Sequence, residues 1–135
     1  MRKFIVILTF LLCFAGIDAM AQNYKYMTTD FAYKVKNEYG RWSAWSDWED
    51  SHCLVNINLD REEISIYSEE PQEFTIYEYS EDTTMDSDGG EQFEFSCVDA
   101  DGLRCSIRLR VQSDGQMQLY VDYRDLMYVY CIEER

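Results

Sequence analysis

Apolar and polar residues alternate one for one along most of this chain, and β-branched and aromatic types fill the apolar slots. That is the period-two pattern of strands buried on one side. The clearest register lies in the C-terminal half. Phe93, Phe95 and Cys97 share one parity, and Cys105, Ile107, Leu109 and Val111 share the same parity beyond a turn. Two such faces must meet the same core. A three-residue loop, Ala100-Asp101-Gly102 with Gly102 left-handed, achieves this by pairing Asp99 with Leu103, Cys97 with Cys105 and Phe95 with Ile107. A two-residue loop would set Cys97 against Ser106 and break the pattern. Ser113-Asp114-Gly115 repeats the solution, placing Val111 opposite Met117, Leu109 opposite Leu119 and Ile107 opposite Val121. Strands from Glu91 to Asp99, Leu103 to Gln112 and Gln116 to Tyr123 therefore form a meander.

The same register sends Arg104, Arg108 and Arg110 outward, with Arg108 between Glu94 on one neighbour and Tyr120 on the other. A cross-strand ion pair and a guanidinium resting on a ring follow, each worth ~0.2–1 kcal/mol. In the N-terminal half, Cys53, Val55, Ile57 and Leu59 alternate, and a loop over Asp60-Arg61-Glu62-Glu63 sets Leu59 opposite Ile64 and Ile57 opposite Ile66. Pro71 ends that hairpin. Further strands are expected from Asp30 to Asn37, Arg41 to Trp48, Gln72 to Tyr79 and Met127 to Glu133, with a turn at Tyr39-Gly40. The expectation is all-β: an antiparallel meander of eight or nine short strands, curled into a small barrel or folded as a two-layer sandwich.

The first residues carry the three parts of a secretory signal: Arg2 and Lys3, an apolar run from Phe4 to Ile17, and the small-residue site Ala19-Met20-Ala21. Cys13 follows two leucines rather than small residues and belongs to the discarded segment. Cleavage after Ala21 predicts a secreted or periplasmic chain, Gln22 to Arg135, of 114 residues that form one domain. Losing two cations and one anion takes the formal charge from −14 to −15. So negative a surface repels phosphate backbones and anionic lipid. No nucleic acid is expected, nor a membrane span. Four cysteines remain, and export favours disulfides: Cys97 with Cys105 across a hairpin, and Cys53 with Cys131.

Candidate chemistry is sparse. Trp42, Trp45 and Trp48 stand in Arg41-Trp42-Ser43-Ala44-Trp45-Ser46-Asp47-Trp48. This W-S-x-W-S-x-W spacing resembles the tryptophan strand of thrombospondin type 1 repeats, small domains that stack such rings on arginines and bind partners. The likeness covers seven residues, and Ser51-His52-Cys53 replaces the cysteine-rich stretch those repeats carry, so the chain is not placed in that family. Strand geometry puts Trp42 and Trp48 on one face and Trp45 on the other. Tyr120, Tyr128 and Tyr130, among eleven tyrosines, complete the candidate contact residues. Asp82, Asp86 and Asp88, in an acidic loop with Gly89 and Gly90, are the candidate metal ligands. His52 lacks a nucleophile in any recognisable motif, and neither a catalytic centre nor a cofactor is expected.

These features point to an exported, non-catalytic binding or interaction module, with an enclosed small apolar ligand as one form of that role. A cell-envelope assembly protein that docks through aromatic edge strands is the alternative, and a glycan-directed enzyme the third. The partner, small ligand or protein, is not identified by the residues.

Overall fold

The computed structural model describes residues 23–79, 84–85 and 89–135, within which every regular element is an antiparallel strand. They are β1 (Asn23–Val35), β2 (Glu49–Asp50), β3 (Leu54–Asn58), β4 (Glu63–Ile66), β5 (Gln72–Tyr79), β6 (Thr84–Met85), β7 (Glu91–Asp99), β8 (Arg104–Val111), β9 (Met117–Asp122) and β10 (Leu126–Glu134). Eight of them pair in the ring β1-β3-β4-β5-β7-β8-β9-β10, and β10 returns to β1. The sheet is thus a closed barrel, with β2 attached to β1 and β6 to β7 outside the ring. Closure leaves the eight strands almost no free edge.

Turn chemistry fixes the β7–β10 half. Phe95 pairs with Ile107, Cys97 with Cys105, Leu109 with Leu119 and Ile107 with Val121, the expected register. Gly102 has φ 85° and Gly115 φ 91°, values open to glycine and strained for other residues. The preceding aspartate reinforces each loop: Asp99 accepts the backbone N–H groups of Asp101 and Leu103, and Asp114 that of Gln116.

The β3–β4 hairpin differs from the expected register by two residues. Ile57 pairs with Ile64 and Val55 with Ile66, not Leu59 with Ile64. The cause is Asn58, whose side-chain oxygen captures the N–H of Arg61 and starts the turn there. The loop is therefore Leu59 to Glu62, and Glu62 takes the left-handed conformation. A shift of two keeps every side chain on its own face.

The cysteines correct a second expectation, for all four are free thiols. Cys97 and Cys105 do oppose each other in register. The Asp99 N–H bonds to the Leu103 carbonyl, so two residues further along Cys97 and Cys105 again occupy a hydrogen-bonded pair, where side chains stand farther apart than at the alternate pairs. Cys53 cannot reach Cys131. Cys53 packs against the interior, whereas Cys131 lies between the inward Tyr130 and Ile132 and points out through the wall.

The barrel is filled. Val55, Ile64, Ile66, Cys97, Ile107, Leu119 and Val121 have no solvent-accessible surface, which leaves no void against them large enough to admit water.

Candidate functional site

The six aromatic residues singled out by the sequence fall into two groups on opposite sides of the wall. Trp42, Trp45 and Tyr120 are outside. After Val35 the chain turns back and runs beside β1, held by two serine clasps. Ser43 donates its N–H to the Val35 carbonyl while its hydroxyl accepts the Val35 N–H, and Ser46 does the same with Tyr33. This clasp repeats every third residue, not every second. Trp42 and Trp45 consequently lie on the same side, correcting the expectation that they face apart, and the Lys34 ammonium sits 5.4 and 4.6 Å from their ring centroids.

The stack continues in both directions. Lys36 lies 5.0 Å from Trp42, Trp45 meets Tyr120 edge-on at 6.2 Å, and the Arg108 guanidinium lies 4.3 Å over Tyr120. Arg108 pairs with Asp122 at 2.5 Å. The expected pairing with Glu94 does not form, because Asp122 takes the guanidinium and Glu94 accepts the Ser106 hydroxyl instead. The ladder roofs Ala32 and Val129, which oppose each other on the outer face and are 1% and 2% exposed. Its evident work is to bind the tryptophan segment to the barrel. Trp48 is 52% exposed and makes no ring contact among the described residues.

Tyr128 and Tyr130 point into the barrel, at the end that carries the β4–β5, β7–β8 and β9–β10 loops. A bulge at Thr29 turns the second half of β1 so that Phe31 and Tyr33 join them. Phe31 lies 5.2 Å from Tyr130, 6.0 Å from Tyr128 and 6.1 Å from Tyr33, and Tyr123 stacks on Tyr128 at 6.4 Å. These five rings form an aromatic mouth above the filled interior. Tyr33 is 42% exposed and Leu103 58%. A hollow of about 680 Å³ opens there, lined by Leu103, Leu126, Tyr123, Tyr128, Arg104 and Arg124, with Asp99 and Asp125 at its margin.

Two polar clamps hold the rings. Gln72 accepts the Tyr128 hydroxyl and donates to the Tyr130 oxygen at 3.1 Å. Asp99 accepts the Tyr123 hydroxyl at 2.7 Å. Burial pushes the Tyr123, Tyr128 and Tyr130 phenols upward, so all three are neutral donors at physiological pH. Burial works against the Asp99 carboxylate, but the Tyr123 hydroxyl and the N–H groups of Leu103, Asp101 and Gly102 outweigh it and hold its pKa below the ordinary value. Neutral phenols and a hydrogen-bonded carboxylate are groups that can bind and orient a ligand.

Phe31, Tyr33, Gln72, Asp99, Leu103, Tyr123 and Leu126 were not singled out by the sequence. Leu103 and Tyr123 did carry a signal, since they continue the inward parity of their strands past the last core residue. The signal segment and the candidate metal ligands Asp82, Asp86 and Asp88 lie outside the described residues. Among the described residues no helix is long and apolar enough to cross a membrane. Comparison with protein-family models, curated proteins and solved structures found no match.

Proposed function

We propose that this chain is an exported, non-catalytic binding module that holds its ligand in the aromatic mouth of the barrel. The supporting observation is the contrast between the two levels of the interior: fully buried aliphatic side chains below, and above them a cluster of five rings, two of which, Tyr123 and Tyr128, line a hollow of about 680 Å³. That volume is within the ~300–1,000 Å³ usual for small-molecule sites. A filled interior favours a ligand seated at the rim over one enclosed in the lumen. The neutral phenols and the committed Asp99 favour binding over catalysis.

Titration with Nile red, an uncharged apolar dye, tests the site. One saturable site is expected, weakened roughly fivefold in a Leu103→Ser variant, because the truncation removes apolar contact worth about 1 kcal/mol from the lining of the hollow. Leu103 is 58% exposed, so the melting temperature should hold. Equal dye affinity in the variant would place binding elsewhere. Docking of an assembly partner along the outward edge of the tryptophan segment is the second reading, favoured by the exposed Trp48.

A further inference from the structure

We propose that Cys97 and Cys105 together bind one soft monovalent metal ion, copper(I), in the layer of the barrel directly beneath the mouth. The two residues oppose each other in register on β7 and β8, and both point into the interior, where Cys97 is fully buried and Cys105 is 8% exposed. Their thiols are free. The next residues of the same parity on the two strands are Asp99 and Leu103, and both line the hollow. One layer, closed by the Tyr123–Asp99 hydrogen bond, therefore separates the pair from the open mouth.

Spacing decides what the pair can hold. At a hydrogen-bonded antiparallel pair the Cβ atoms stand ~5.5 Å apart, wider than the ~3.8 Å of a disulfide. An ion in line between two thiolates, with metal–sulfur bonds of ~2.3 Å as at zinc, holds its sulfurs about 4.6 Å apart, which this wider register accommodates. It needs no void of its own, because it takes the place of the two thiol hydrogens. The present bond of the Cys97 thiol, to the Phe95 carbonyl at 3.8 Å, is weak and easily given up. Burial pushes both thiols up, and the nearness of Cys105 adds to the rise at Cys97.

The identity of the ion follows from the ligand count. No group of three or more His, Cys, Asp or Glu among the described residues is placed to hold a metal. Zinc takes three or four protein ligands and iron–sulfur clusters take four. Calcium and magnesium want oxygen. A pair of thiolates without further donors suits copper(I), which soft sulfur ligands select. Uptake breaks two S–H bonds, forms two S–Cu bonds and releases both protons to solvent, so affinity rises with pH.

Titration of the reduced full chain against the copper(I)–bicinchoninate complex, with proton release followed by a pH dye, tests the site. One copper per chain and about two protons released are expected. Cys97→Ser/Cys105→Ser should weaken binding roughly hundredfold or more, whereas Cys53→Ser/Cys131→Ser should keep the parental affinity. X-ray absorption at the copper edge of the unaltered chain should show two sulfur neighbours, a result that does not depend on how the variants fold. Copper left with the chelator, a nitrogen or oxygen neighbour at the metal, or full binding by Cys97→Ser/Cys105→Ser overturns the assignment. Nile red binding to the copper-free chain reports on the mouth separately, so either proposal can fail alone.

Discussion

Gln72→Leu is the substitution that most directly probes how the mouth is held. Gln72 reaches from the start of β5 to two tyrosines of β10, accepting from Tyr128 and donating to Tyr130. Both rings are buried, so their hydroxyls cannot turn to water without disturbing the wall. An orphaned buried polar group costs about 1–3 kcal/mol, so two such groups cost roughly 2–6 kcal/mol. Leucine recovers about 1 kcal/mol through its own burial. A net loss of about 1–5 kcal/mol is expected, read as a lower urea midpoint in tryptophan emission with an unchanged slope. The informative arm is the triple variant Gln72→Leu/Tyr128→Phe/Tyr130→Phe. Removing the hydroxyls along with their partner leaves nothing unsatisfied, so the triple variant should be more stable than Gln72→Leu alone and within about 1 kcal/mol of the parent. If the losses simply accumulate across the three substitutions, the hydroxyls are satisfied some other way and Gln72 is not the clamp.

Gly102→Val should cost about 1–2 kcal/mol in thermal unfolding, from backbone conformation alone, since no atom lies within 4 Å of the position a Cβ would take; an unchanged melting temperature would contradict the left-handed turn. Arg108→Met should lose about 1–2 kcal/mol by stranding Asp122 and uncovering Tyr120, whereas Glu94→Gln should be nearly silent; a larger loss from Glu94→Gln would restore the cross-strand pairing that the sequence suggested. Burial, reinforced by the neighbouring thiol, pushes Cys97 up to about 12, and burial with Asp99 nearby pushes Cys105 to about 11. The unfolded thiols ionise near ~8.5, so above that pH the fold binds more protons than the unfolded chain and its stability falls as pH rises toward 11–12. Urea midpoints between pH 8 and pH 10 should fall less steeply in a Cys97→Ala/Cys105→Ala variant than in the parent, and parallel slopes would mean these thiols are not buried.

The β7–β9 meander was legible because local chemistry and global pattern agree in it. An Asp and a Gly mark both loops, and one parity runs unbroken from Phe93 to Val121. Elsewhere a single local event defeats the pattern. Asn58 starts its turn early, and three-residue clasps replace strand alternation between Trp42 and Ser46. In β10 both faces are apolar, because Val129 is covered outside while Tyr128 and Tyr130 are covered inside. The site was half legible for a related reason. Tyr128 and Tyr130 stood out as aromatics, but Gln72 and Asp99 are ordinary polar residues in the sequence. Gln72 stands 56 and 58 positions from the tyrosines it holds, and only barrel closure brings them together.

The Thr29 bulge joins these observations into one cause. Tyr26 and Thr28 face inward, so strict alternation would carry Asp30, Ala32 and Lys34 inward and leave Phe31 and Tyr33 outside. One extra residue reverses the assignment for the rest of β1. Phe31 and Tyr33 enter the mouth, and Lys34 turns out to meet Trp42 and Trp45. Without the bulge neither the five-ring cluster nor the outer ladder could form: the Thr28–Ile132 register would run on to set Asp30 rather than Phe31 opposite Tyr130 and Ala32 rather than Tyr33 opposite Tyr128. The local irregularity that hides β1 from pattern reading is therefore what gives the barrel two differently furnished faces.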